Sequence, residues 1–226
     1  MKIIYVGDFL FPDGDAAAAR VLGIGKALRA AGYEVIFAGS EPDGRPQDLQ
    51  PNGSFAYQSF SYFPQAERRS RDLTLPERAG FYLGGGRRTV EFLESQDARD
   101  VAAVFLYQGY ATSMMRVRES CARRGIPLVA DITEWYSSSQ LAHGRFGLPY
   151  WDCEFRLRVL APRYIQNVVC ISTYLGAHFR KRGCCTVEVP PLIDPGEEKW
   201  FAEGTRPEST EPLALIYAGA PGKKDL

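Results

Sequence analysis

Apolar positions along the chain switch repeatedly between a continuous β-type run and a helical period. Residues 2–6 are a β-rich apolar run ended by Gly7, which predicts a buried strand. A polar loop with Asp8, Pro12, Asp13, Gly14 and Asp15 follows. Over 16–31, Ala17, Val21, Ile24, Leu28 and Ala31 recur at spacings of four and three, so they share one helix face. Asp15 is placed as its N-cap and Gly32 as its stop. Residues 34–38 predict the next strand. Strand, helix and strand in so short a stretch form a βαβ unit, which requires a parallel sheet.

The alternation continues to residue 189. Strands are expected at 55–60, 101–107, 127–132, 168–171 and 186–189. Helices are expected at 76–95, interrupted or bent at Gly84-Gly85-Gly86, then at 110–124, within 148–163 and at 173–182. Residues 61–75 form a charged loop with Arg68, Arg69 and Arg71. The fold class expected is α/β: a Rossmann-like, doubly wound, mainly parallel sheet with helices on both faces. Composition turns Pro-, Glu- and Gly-rich after 189. We divide the chain into a domain over 1–195, a linker over 196–212, and a strand plus glycine turn over 213–226 that reads as the start of a truncated second domain.

Composition narrows the function classes. Twenty-seven Lys and Arg balance twenty-seven Asp and Glu, so no net charge draws the molecule to nucleic acid. No apolar run approaches the roughly 20 residues that span a bilayer. Five cysteines without a C-x-x-C pair argue against a disulfide framework and for a reducing, cytoplasmic setting. Cys184 and Cys185 are expected on a buried edge. Only His143 and His178 are present, and with no thiolate cluster no metal site is expected. His178 reads as a partly exposed surface residue, and His143 as a loop residue near the expected cleft.

Ligands of open parallel sheets bind at the carboxyl ends of the strands, which points to the loops after the first, fourth, fifth and last strands. The first loop lacks the G-x-G-x-x-G spacing of a dinucleotide fold, and Asp8, Asp13 and Asp15 would repel a phosphate there. This disfavours an NAD-dependent enzyme. The same carboxylates suit sugar hydroxyls, and they suit turn and N-cap chemistry equally well. After the fifth run, Asp131, Glu134, Trp135 and Tyr136 combine carboxylates with apolar stacking faces, the pairing a carbohydrate needs. Near the end, Gly219, Lys223 and Lys224 lie on a glycine turn that is not a P-loop, since Tyr217 and Lys224 stand where Gly and Ser or Thr are required. Two lysines there can hold a diphosphate by charge and backbone amides, or form a solvated turn. No G-x-S-x-G elbow is present, and no catalytic residue is assigned.

Four segments in order resemble family 4 glycosyltransferases of the GT-B fold. They are FLFPDGDAAAARVLGIGKALRAAGYEV with Arg20, VVCISTYLGAHFRKRG with Ser172, VPPLID with Asp194, and LALIYAGAPGKKDL. The resemblance implies an acceptor-binding first half of a two-domain enzyme. Its reaction transfers a sugar, with retention, from a nucleotide diphosphate sugar to an acceptor hydroxyl, with no cofactor and no required metal. Acceptor contacts are expected from Asp8, Asp13, Arg20, Asp131, Glu134 and Trp135, and donor diphosphate contacts from Gly219, Lys223 and Lys224. Arg68, Arg69, Arg71, Arg87 and Arg88 are expected as solvated surface charge, or as an attraction for a phosphate-bearing acceptor. The partners implied are a nucleotide sugar and a carbohydrate or lipid-linked acceptor, with peripheral contact at the inner membrane. Ala220 and Thr133 depart from the family pattern, which has Arg and His there. The alternatives are a non-catalytic Rossmann-like binding module and a sugar-nucleotide epimerase or dehydrogenase. The 226 residues alone are expected to be inactive.

Overall fold

A computed structural model describes residues 1–51, 53–65, 80, 82–141 and 143–196. The expected linker beyond Gly196 and the 213–226 segment, with Gly219, Lys223 and Lys224, lie outside the described residues, as do Arg68, Arg69 and Arg71.

Among the described residues, eight strands make one sheet: β1 (Lys2–Gly7), β2 (Glu34–Ala38), β3 (Phe55–Tyr57), β4 (Phe60–Tyr62), β5 (Val101–Tyr107), β6 (Leu128–Ile132), β7 (Asn167–Cys170) and β8 (Cys185–Glu188). Their order is β3-β4-β2-β1-β5-β6-β7-β8, and every neighbouring pair is parallel except β3 with β4. The chain winds outward from β1 to β4, then returns to the other side of β1 as β5. The carboxyl ends of β1 and β5 therefore form the topological switch point, where ligands of such sheets bind. The Rossmann-like α/β class expected from the sequence is the one observed.

The helices are α1 (Ala16–Ala30), α2 (Arg87–Ser95), α3 (Ala111–Arg123), α4 (Leu148–Phe155) and α5 (Thr173–Arg180). Residues Arg156–Ile165 continue α4 with wider π-type turns, and the Gln166 amide closes them on the Ala161 carbonyl at 2.8 Å. Pro162 lies inside this stretch. It has no N–H to give and would collide with a carbonyl one α-turn back, so a π-type register is a reasonable accommodation. Asp15 caps α1 by accepting from the Ala18 amide at 2.7 Å. Gly32, at φ +91°, ends it in a backbone region that L side chains rarely adopt.

Side chains of β1 alternate between two cores. Ile4 and Val6 join Val104, Leu106, Met114, Leu157 and Phe179 on one face. Tyr5 joins Phe9, Val21, Phe37 and Tyr62 on the other. Both faces are covered, as a parallel sheet requires. Glycine in a helix interior costs about 1 kcal/mol against alanine. Gly25 of α1 has a packing reason: a Cβ there would sit 2.5 Å from the Phe37 ring.

The single strand expected at 55–60 is instead a tight hairpin, β3 and β4, with Gln58 at φ 48° and Ser59 at φ 65°. Positive φ at both turn residues matches the twist of a two-residue hairpin. Gln-Ser is not a sequence that announces it. Gly86, at φ 81°, starts α2 and separates it from the helical residues 82–84, which is the interruption expected at the glycine run. The expected buried Cys184-Cys185 edge holds for Cys184 only. Cys184 is buried just before β8, whereas Cys185, the first residue of that edge strand, is exposed.

Candidate functional site

At the switch point the strand ends approach closely. The Asp8 amide donates to the Tyr107 carbonyl at 3.0 Å. A Cβ on Gly7 would collide with that same carbonyl, and Gly7 has φ +130°. Only glycine meets both demands. Beyond β5, Gln108 (φ 40°) and Gly109 (φ 106°) turn the chain sharply into α3.

These turns open a cleft of about 480 Å³. Asp15, Ala16 and Ala17 at the start of α1 form one wall, and Tyr107 to Tyr110 form another. Glu134 and Tyr136, after β6, form a third with Arg156, and Asp8 lies where the cleft meets a smaller cavity of about 40 Å³ that extends to Gly39, Ser40 and Gln65. The Ser40 hydroxyl donates to Asp8 at 3.2 Å. Three carboxylates, one guanidinium and three tyrosines thus line one space. Carboxylates accept hydrogen bonds from hydroxyls, and aromatic faces cover the apolar side of a sugar ring.

Arg156 is held from behind. Its Nε donates to Asp152 at 2.7 Å, and its two Nη groups make no hydrogen bond among the described residues. Asp152 is 4% exposed and also accepts from the Tyr82 hydroxyl at 2.9 Å and the Ala111 amide at 2.8 Å. The buried carboxylate therefore fixes the guanidinium while leaving its outer donors for a ligand. Thr133, which stands where the resembled family has His, accepts from the Gln108 side-chain amide and shares a 3.2 Å hydrogen bond with the Tyr107 hydroxyl. It ties the ends of β5 and β6 together behind the cleft.

The six expected acceptor residues do not share one place. Asp8 and Glu134 line the cleft. Asp13 pairs with Arg45 and lines a wider groove of about 1000 Å³ along the outer side of α1, away from the strand ends. Arg20 and Asp131 form a buried pair, at 8% and 0% exposed. Arg20 Nε donates at 3.1 Å to both carboxylate oxygens, Nη2 donates to Oδ1 at 2.7 Å, and Nη1 donates to the Val189 carbonyl at 2.8 Å. The Tyr5 hydroxyl completes the carboxylate at 2.5 Å. Burial works against the Arg20 charge, but its hydrogen bond to Asp131 and that carboxylate's charge more than offset this and raise its pKa. Burial, with the charge of Asp131, pushes Tyr5 well up. With these bonds made, the pair joins α1 to β6 and to the end of β8 and lines none of the cleft.

Trp135 turns away from the cleft. Its Nε1 donates to Glu154 at 2.8 Å, and its ring packs edge-on against His178 at 4.4 Å and near Tyr174 at 6.1 Å. His178 is half-buried, and burial lowers its pKa. His143 is exposed in a left-handed turn and lines none of the cavities described. Arg87 and Arg88 are exposed at the start of α2. Asp194 pairs with Lys26 at 2.7 Å, laying the 192–196 segment against α1.

Gln108, Gly109, Tyr110 and Arg156 are cleft residues that sequence reasoning did not assign, whereas Tyr136, singled out with Glu134, does line the cleft. For the first three the signal was their place directly after a strand next to the switch point. For Arg156 there was none, since it reaches the cleft from a helix between β6 and β7.

Behind the first loop sits Glu41, 4% exposed. Its Oε2 accepts from the Phe11 amide at 3.0 Å, and its Oε1 has no hydrogen-bond partner. Burial pushes its carboxyl up to about 7, against backbone hydrogen bonds from Glu41, Phe11 and Gly39.

No protein-family model matches the chain, and no curated protein matches it. Among solved structures it is similar to Anabaena Alr3699/HepE in complex with UDP and glucose, at 16% identity and a TM-score of 0.47, covering 86% of this chain and 45% of that one. It is also similar to a ugt transferase from Siraitia grosvenorii in complex with UDP, at 11% identity and a TM-score of 0.49, covering 86% and 52%. The chain spans about half the length of these structures. Likeness at this level carries no argument about chemistry, which rests on the cleft itself.

Proposed function

We propose that this chain is the acceptor-binding half of a GT-B glycosyltransferase similar to family 4. The cleft at the switch point is the observation that carries the reading. It sets Asp8 and Glu134 for hydroxyl hydrogen bonds, Tyr110 and Tyr136 for ring faces, and Arg156 for an anionic group of the acceptor. The acceptor is a carbohydrate or a lipid-linked saccharide, and the donor a nucleotide diphosphate sugar. In this reading a second domain holds the donor, with Gly219, Lys223 and Lys224 on its diphosphate. The acceptor oxygen bonds the anomeric carbon as the bond to the diphosphate breaks, with retention of configuration. Catalysis then rests on stabilising the departing charge and on closure of the domains around the reactants.

Donor-dependent turnover tests this. A full-length protein carrying the chain is expected to transfer sugar from a nucleotide diphosphate sugar to a hydroxyl acceptor, and residues 1–226 alone are expected to show none. Turnover by the 226 residues alone overturns the division of labour. Acceptor binding by a full-length protein that never transfers sugar favours a non-catalytic binding module.

A further inference from the structure

The small cavity beside the cleft has no part in the contacts assigned so far. Asp8, Gln108, Gly109 and Tyr110 line both spaces, so the two are continuous. At about 40 Å³ the cavity holds roughly three water-sized groups. Its walls are the ends of β1, β2 and β5 and the opening turns of α2 and α3. Glycines bring these walls together: a Cβ on Gly86 would lie 2.9 Å from Ser113, and one on Gly109 would lie 2.8 Å from the Ser113 hydroxyl. Gln108, at the threshold, holds φ 40°, a backbone region that costs a residue other than glycine and collects at ligand sites.

The lining combines two chemistries. Leu106 and Val117, both buried in the core, supply an apolar part. Asp8, Ser40, Thr89 and Ser113 supply polar groups, and no side chain lining the cavity is basic. An anionic group would meet Asp8 without a counter-charge. Ser40 already donates to Asp8 at 3.2 Å, and Ser113 to the Tyr110 carbonyl at 2.8 Å. Thr89 differs. It is 7% exposed, and its hydroxyl makes no hydrogen bond among the described residues. A buried hydroxyl costs free energy unless it has a partner, so the partner of Thr89 comes from whatever occupies the cavity.

We propose that this cavity is a specificity pocket for the acetamido group of an acceptor sugar whose ring lies in the adjoining cleft. The proposal rests on the acceptor reading and names the class of sugar. Beyond its nitrogen an acetamido group has three heavy atoms, which matches the room available. The Thr89 hydroxyl donates to its carbonyl. The Asp8 carboxylate accepts from its N–H, since a carboxylate has about four acceptor sites. Its methyl lies on Leu106 and Val117. A hydroxyl or an ammonium in its place reaches Asp8 but leaves the apolar part bare.

The experiment is NMR titration of the chain with the methyl glycosides of glucose, glucosamine and N-acetylglucosamine, and with the same three of the galactose series. In one series the acetamido sugar is expected to bind about tenfold more tightly than the parent sugar. Thr89→Val keeps the shape and removes the hydroxyl, and is expected to lower that preference by about threefold or more. Thr89→Leu fills the cavity and is expected to abolish the preference. Circular dichroism verifies the fold of both, and the valine variant carries the test if the leucine variant does not fold. Equal affinity of the wild type for acetamido and parent sugars, tighter binding of the amino sugar, or a preference that the valine variant retains in full overturns the pocket and leaves the acceptor reading standing. Binding of none of these sugars overturns the acceptor reading and the pocket with it.

Discussion

Asp131→Asn is expected to destabilise the fold by about 3–5 kcal/mol, because it leaves a buried guanidinium without its counter-charge. Asp131 is fully buried and accepts from Arg20 and Tyr5 together. An asparagine keeps one acceptor oxygen, but it turns an NH2 group toward either the guanidinium or the phenol. The phenol oxygen can accept from that NH2, but the guanidinium only donates, so the replacement removes its counter-charge and leaves it one neutral acceptor oxygen. Arg20 also holds the Val189 carbonyl, so the loss loosens α1 from β6 and from the end of β8. Urea unfolding measures it as a lower midpoint at unchanged slope. Replacing both partners by apolar residues of similar size is expected to recover much of the loss, since no uncompensated charge is then left. Unchanged stability with lost saccharide binding would instead return Arg20 and Asp131 to the binding site.

The second large effect depends on pH. Glu41 has an ordinary carboxyl pKa near 4.5 when the chain is unfolded and about 7 when folded, because burial penalises its charge. Between those values the folded protein holds a proton that the unfolded chain has released. This stabilisation is fully present below the lower value and is lost as pH rises to the upper one. The total is on the order of 3 kcal/mol. Glu41→Gln cannot ionise, so its stability is expected to lack this slope. Urea unfolding of both proteins at about pH 5 and about pH 8 reads the difference. A slope retained in the variant assigns it to another group.

Much of the fold is legible along the chain because local patterns specify it. β2 and β5 fall where their apolar runs do, and α1 begins at its capping Asp15 and ends before Gly32. The hairpin of β3 and β4 is hidden because its turn is Gln-Ser, and only the backbone reveals the positive φ. The candidate site divides in the same way. Asp8 and Glu134 are readable because each follows a strand of the sheet. Arg20 and Asp131 have the residue types and positions expected of ligands, but they are 111 residues apart and find each other beneath the surface. Trp135 has the right location and the wrong direction, since Glu154, His178 and Tyr174 draw it toward the helices. Arg156 depends on Asp152, four residues before it, which holds its side chain from behind. Sequence position places a residue near a strand end, whereas burial and partner geometry decide which way it faces.

The acceptor platform is tested most directly by saturation-transfer NMR of this chain with a panel of mono- and disaccharides and their phosphates. Saturation is expected to pass to a saccharide of the panel, to be lost when Tyr110→Ala is combined with Glu134→Gln, and to fall for anionic ligands with Arg156→Ala. No transfer to any saccharide, or equal transfer to the wild type and the Tyr110–Glu134 double variant, would contradict it.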